Sequence, residues 1–234
     1  MTIRAVLFDV GGPLDLEIIH ERQCDQAMLA ALHDAGVGAT ESDLQAAGER
    51  AVAAFAPFTY QAMLWDLCGG DEARARRAIA VFQAGSAERR AQRGGLEMRP
   101  SMPEMLRSLH ARGLALGLAA NQPASVIADL DRFGIGQLFS HREVSEHHGY
   151  LKPDVRLFLR ACEDIGAPPE ATVMVGDRID NDIFPARLLG MRTVLFRTGR
   201  HVAQRPRSFH DLPDVEVTDV EELSAALERL VAEG

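Results

Sequence analysis

The sequence predicts an α/β fold: a parallel sheet core with helices on both faces, into which an all-helical segment is inserted. Three observations carry that prediction. Apolar runs of strand length lead into a polar residue three times, at 5–8 into Asp9, at 114–120 into Asn121 and at 172–176 into Asp177. Runs without polar alternation are what strands covered on both faces require. From residue 96 onward, helical patterns closed by glycine alternate with strand candidates, the order that right-handed β-α-β crossovers produce. Residues 14–95 carry helical patterns and no comparable strand. The expected division is a core of residues 1–13 and 96–234, with a helical cap of residues 14–95 inserted after the first strand.

In chain order, Ile18, Ile19, Met28, Leu29 and Leu32 recur at helical spacing and stop at Gly36, which predicts the first inserted helix and its C-cap. Thr40 with Asp43 has the spacing of a capping box that opens a second helix, ended by Pro57. A third helix covers 58–68 and closes at Gly69-Gly70; Asp71 caps a fourth that runs toward Arg93, before Gly94-Gly95. Phe58 and Trp65, seven apart, share a helical face and read as core of this segment rather than as a substrate box. Gly94-Gly95 and the residues after Pro13 are the expected hinges. In the core, Ser101 with Glu104 suggests another capping box, Pro103 sits in the first turn, and Gly113 ends that helix. Helices at 124–133, 154–165 and 181–189 end at Gly134, Gly166 and Gly190, with strands at 138–140, 172–175, 193–196 and 215–217 between them. Thr218 and Glu221 cap a closing helix to about Val231. Residues 197–214 are the least regular stretch and read as a surface loop.

Composition narrows the function. A chain of 234 residues with 47% hydrophobic content can bury a full core. Its net charge of −9, without a basic stripe, argues against nucleic acid as a partner. The arginines at 74, 76, 77, 89, 90 and 93 are interspersed with Glu and Ala in a helical pattern and read as a solvated face. No apolar run reaches membrane-spanning length, and the first strand begins too close to Met1 for a signal peptide, so a cytoplasmic location is expected, with no membrane partner. Cys24, Cys68 and Cys162 are odd in number and lack Cys-x-x-Cys spacing, so they read as small core hydrophobes rather than a disulfide framework or a zinc site. Oligomeric state leaves no trace in the sequence.

The 25 basic residues comprise 24 arginines and one lysine, Lys152, in Tyr150-Leu151-Lys152-Pro153-Asp154. Arg and Lys part company where a compact ammonium is needed, as beside a phosphoryl group or a nucleophilic carboxylate. Ligands of open α/β sheets bind beyond the carboxyl ends of the strands, so Asp9, Asn121 and Asp177 are expected to converge on one crevice. Each alone is weak, since an Asp after a strand is often a cap or turn former.

Taken together and in this order, Phe8-Asp9-Val10-Gly11-Gly12, Lys152-Pro153-Asp154 and Gly176-Asp177 through Asn181-Asp182 resemble the motifs of the haloacid dehalogenase superfamily, hydrolases with an Asp nucleophile and a Rossmann-like core. The likeness covers nearly the whole chain. It implies that Asp9 attacks phosphorus to give an aspartyl-phosphate that water hydrolyses, and that Mg²⁺ is held by Asp9, Asp177 and the backbone carbonyl of Gly11. Lys152 supplies a positive charge against nucleophile and transferring group. Gly12, Asn121 and Lys152 are the candidate substrate-binding residues. Asp182 either holds a metal-bound water, orients Lys152, or serves as a first-turn acid of its helix. His147 and His148 precede the lysine loop and read as solvated. The implied substrate is a small phosphorylated metabolite.

Two positions depart from the family pattern. Phosphatases of the family carry an Asp where Gly11 stands, acting as acid to the leaving group and base to water, and a Ser or Thr where Ala120 stands. The expected activity is therefore a Mg²⁺-dependent phosphomonoester hydrolase that is weak toward poor leaving groups, with a phosphorylated-ligand binding protein as the alternative. The cap contains no lysine for the Schiff base of phosphonate-cleaving members. The fourth motif differs from that of dehalogenating members, and phosphomutases depend on the missing Asp.

Overall fold

The computed structural model describes residues 2–233. The chain divides into two compact units, Met1–Leu16 with Leu96–Gly234, and Glu17–Gly95. The first is built on six parallel strands: β1 (Ala5–Phe8), β2 (Ala115–Leu118), β3 (Phe139–His141), β4 (Thr172–Gly176), β5 (Arg192–Phe196) and β6 (Val215–Val217). Their order across the sheet is β3-β2-β1-β4-β5-β6, with Phe8 in register with Leu118 on one side and Val175 on the other. The order reverses beside β1, which makes the carboxyl edge of β1 and β4 the topological switch point where such sheets bind ligands.

Alternation along β1 explains why its residues are all apolar. Val6 and Phe8 join a cluster with Met102, Leu106, Leu109, Leu223 and Leu227 on one face, while Leu7 packs with Leu157, Phe158, Ala161 and Met174 on the other. Two helix-covered faces leave no position for a polar side chain.

The second unit contains α1 (Ile18–Asp34), α2 (Glu41–Ala53), α3 (Thr59–Leu67), α4 (Glu72–Ala84) and α5 (Ser86–Arg93) around its own core of Met28, Leu32, Leu44, Met63, Leu64 and Phe82. The Thr40 and Asp43 capping box is present. The expected fourth helix is two, because the chain leaves helical geometry at Gly85 (φ −80°, ψ 0°). Phe58 and Trp65 are not core: they are 66% and 46% exposed. Arg76 pairs with Glu72 at 2.7 Å and Arg77 with Asp34 at 2.8 Å on exposed surface, as a solvated face requires.

The remaining helices belong to the first unit: α6 (Met102–Ala111), α7 (Val126–Arg132), α8 (Ser145–His148), α9 (Val155–Ile165), α10 (Phe184–Leu188) and α11 (Val220–Glu233). Ser101 is left-handed (φ 64°) and its side chain makes no cap bond, so the expected box with Glu104 does not form. At α11 the box is shifted by one: Glu222 accepts from Thr218 N–H, and Asp219 accepts from Glu222 N–H. Cys24, Cys68 and Cys162 are buried and free, and among the described residues no helix is long and apolar enough to cross a membrane.

The segment after Pro13, expected as a hinge, is instead secured within the first unit. Leu14 and Asp15 are fully buried. Leu16 N–H donates to Glu97 O at 2.9 Å, Arg99 N–H to Leu14 O at 2.8 Å, and Asp15 Oδ1 accepts from Glu97 N–H at 2.9 Å.

Candidate active site

Asp9 follows β1 directly. Its N–H continues the ladder to Val175 O at 2.9 Å, and its Oδ1 accepts the N–H of Val10 at 2.7 Å, which leaves Oδ2 facing Lys152 Nζ at 2.8 Å. Gly12 turns the chain back with φ +79°, and a Cβ there would come within 2.7 Å of the Asp177 side chain. Only glycine satisfies both the backbone and the space. Gly11, by contrast, is not among the positive-φ glycines.

Asp177 follows β4, and the chain then forms a π-helical turn, Ile179–Ile183, whose Asp182 and Ile183 N–H groups both donate to Arg178 O. The wider turn directs Asp182 inward. Its Oδ2 accepts from Arg178 N–H at 3.0 Å and its Oδ1 accepts from Lys152 Nζ at 2.6 Å. Lys152 is thus clamped between two carboxylates with its side chain 1% exposed. Burial disfavours the ammonium, but the charges and hydrogen bonds of Asp182 and Asp9 outweigh it and raise the Lys152 pKa. Burial likewise raises the Asp182 pKa, with the Asp9 charge adding to it and Lys152 opposing. The two carboxylates hold the proton on Lys152, whereas burial is the main reason that Asp182 binds its proton more tightly.

One ligand oxygen each from Asp9, Asp177 and Asp182 lie within 4.8 Å of one another, so the cluster could hold a metal ion. Asp182 is fully buried with its oxygens on Lys152 Nζ and Arg178 N–H, whereas Asp9 and Asp177 follow the ends of the adjacent strands β1 and β4. The carboxylates of Asp9 and Asp177 are hard oxygen donors of the kind Mg²⁺ takes, and the Gly11 carbonyl two residues after Asp9 is of the same kind.

Asn121 was expected at substrate. Its amide is committed to the lysine loop: Oδ1 accepts from Lys152 N–H at 2.7 Å and Nδ2 donates to Lys152 O at 3.1 Å, so one Nδ2–H is left for any other role. His147 and His148 cap their own short helix, accepting from the N–H groups of Val144 and Tyr150.

Two supporting groups were not visible in the sequence. Arg99 donates to the carbonyls of Gly12 and Pro13 and to Thr198 Oγ1, and stacks on Phe196, so it fixes the turn after Asp9. Gln204, inside the stretch read as a surface loop, is fully buried. Its Oε1 accepts from Ile179 N–H at 2.6 Å and its Nε2 donates to Asp180 Oδ1 at 2.9 Å, which pins the π-helical turn carrying Asp182. Gln204→Met fills similar space but orphans the Ile179 N–H, so a stability loss of about 1–3 kcal/mol is expected in urea melts. An unchanged urea midpoint would show that this pin is dispensable.

A family model described as haloacid dehalogenase-like hydrolase matches residues 3–190. The chain belongs to that family. Among its curated relatives, the glyceraldehyde 3-phosphate phosphatase of Methanopyrus kandleri is 36% identical over 129 residues, covering 53% of this chain and 54% of that protein. The phosphoserine phosphatase of Thermus thermophilus is 34% identical over 163 residues, covering 68% of this chain and 59% of that protein. The chain thus spans between half and two thirds of the length of these relatives. The fold is similar to that of a predicted phosphoglycolate phosphatase from Haemophilus somnus, with a TM-score of 0.71 at 22% identity over 98% of both chains.

Proposed function

We propose that the chain is a Mg²⁺-dependent phosphatase that hydrolyses a small phosphorylated metabolite through an aspartyl-phosphate on Asp9. The observation that carries this reading is Asp9 itself: Val10 N–H and Lys152 hold one oxygen each, so the carboxylate has a fixed direction at the switch point of the sheet. Lys152 offsets the repulsion between a carboxylate and an incoming phosphate dianion. Asp182, by holding the ammonium from behind, is a positioning residue. Asp9, Asp177 and the Gly11 carbonyl would hold Mg²⁺, which when bound supplies charge to the phosphoryl oxygens. Gly12 lets the backbone approach the phosphoryl group closely, and Asn121 acts through the Lys152 loop, with its second Nδ2–H open to a phosphoryl oxygen. The helical unit is the cap in this reading and determines which metabolite is accepted.

The relatives named as phosphatases favour turnover over binding alone. The test is phosphate release from an aryl phosphate with Mg²⁺ and after its removal with a chelator. Release that depends on Mg²⁺ is expected. Undiminished release under chelation, or none from any phosphorylated metabolite in a screen, would overturn the reading.

A further inference from the structure

Resting on the phosphatase reading, we propose that acyl phosphates, the mixed anhydrides of a carboxylic and a phosphoric acid, are the substrate class that the core unit is equipped to cleave. An ester leaves as an alkoxide and needs a proton in the transition state, which a positioned acid supplies at a gain of roughly 10²- to 10⁴-fold. The proton donors that the core arranges around Asp9 are already committed. Lys152 Nζ is held by Asp9 and Asp182. Arg99 is bound to Gly12 O and Thr198, Arg178 to Asp180, and one Asn121 Nδ2–H to Lys152 O. An ammonium, a guanidinium and an amide are not acids that titrate near neutral pH, and Asp182, whose carboxyl pKa burial pushes up, is fully buried with both oxygens taken by Lys152 Nζ and Arg178 N–H. Gly11, two residues past Asp9, has no side chain, and Ala120, which follows β2 and precedes Asn121, has no hydroxyl.

An acyl phosphate removes the need. Asp9 attacks phosphorus, the bond from phosphorus to the acyl oxygen breaks, and the electron pair departs on a carboxylate that is stable unprotonated at neutral pH. The product of that step, phosphorylated Asp9, is itself an acyl phosphate. Water then adds at phosphorus, Asp9 departs as a carboxylate, and the protons of the water pass to the released phosphate and to solvent. Both half-reactions expel a carboxylate, the leaving group for which Gly11 is no handicap.

The experiment compares kcat/KM for acetyl phosphate and for glycerol 3-phosphate, with Mg²⁺, in the unaltered protein and in Gly11→Asp. Since Gly11 is not a positive-φ glycine, an Asp is tolerated by the backbone there. Acetyl phosphate is expected to exceed the alkyl ester by at least about 10²-fold in the unaltered protein. Gly11→Asp should then raise the alkyl ester at least about tenfold more than acetyl phosphate, a cautious fraction of what general acid catalysis contributes. Equal changes on both donors in a folded variant would overturn the proposal. A series of aryl phosphates on the unaltered protein gives an independent answer: a steep fall of kcat/KM as the phenol becomes less acidic supports it, and a flat dependence overturns it. Alkyl ester turnover equal to that of acetyl phosphate would sink the substrate class while leaving the phosphatase reading intact. Absence of Mg²⁺-dependent release from every donor would instead remove that reading.

Discussion

Asp9→Asn is expected to lower phosphate release by more than about 10³-fold while leaving the fold in place. Losing the nucleophile of a covalent hydrolase removes the bond-forming atom itself, and losses on the order of 10⁶ are seen where such a residue acts within a unit. An amide oxygen can still accept from Val10 N–H, the 2.7 Å contact that orients the native side chain. Lys152 keeps Asp182 at 2.6 Å, and the buried group then balances one positive against one negative charge. No uncompensated charge is created, so the thermal midpoint should hold or rise, in contrast to deletion of the lysine, which would leave two carboxylates facing each other. Matched folding with lost turnover identifies a chemical role. Turnover within tenfold of the unaltered protein would mean that a group other than Asp9 forms the bond.

Lys152→Arg is expected to lower kcat by roughly 10²-fold, the order set by losing one well-placed donor to a developing charge. The substitution keeps the charge and changes its shape. An ammonium directs three tetrahedral donors from one atom, and here that atom sits 2.8 Å from Asp9 and 2.6 Å from Asp182 with its side chain 1% exposed. A planar guanidinium is larger, and overfilling such a site typically costs about 1–3 kcal/mol. Pressed between the same carboxylates, it cannot hold both without displacing Asp9 from the direction fixed by Val10. Everywhere else this chain uses arginine, 24 times against one lysine. Full turnover in Lys152→Arg, measured beside a urea melt, would show that charge alone matters at this position.

Much of the candidate site could be read in the sequence because each of the clustered residues follows an apolar strand or stands out chemically. Asp9 and Asp177 end β1 and β4, Lys152 is unique by composition, and Asp182 lies five residues past Asp177. The parallel sheet was legible for the same reason: two buried faces leave an unmistakable apolar run. Arg99 and Gln204 were hidden because their partners are distant in sequence, at Gly12 and Ile179, and neither sits in a periodic pattern. Phe58 and Trp65 show the limit of helical spacing, which says that two residues share a face but not whether that face meets the core. The break between α4 and α5 at Gly85 was lost because one glycine within a charged helical pattern looks tolerable. The capping boxes were half legible. Thr40 with Asp43 formed, whereas Ser101 took a left-handed backbone that no spacing rule foresees.

The backbone pairing between residues 14–16 and 97–99 bears on how such a protein diversifies. The helical segment enters and leaves the core through two stretches of chain already bonded to each other, so its ends are fixed side by side by the core alone. Closing a loop between adjacent ends has an entropic penalty that grows only slowly with loop length. A segment of different length or sequence can therefore be exchanged at this ribbon without altering the register of β1 or the direction of Asp9. Changes within the inserted helices can accumulate without disturbing the turn that holds Asp9.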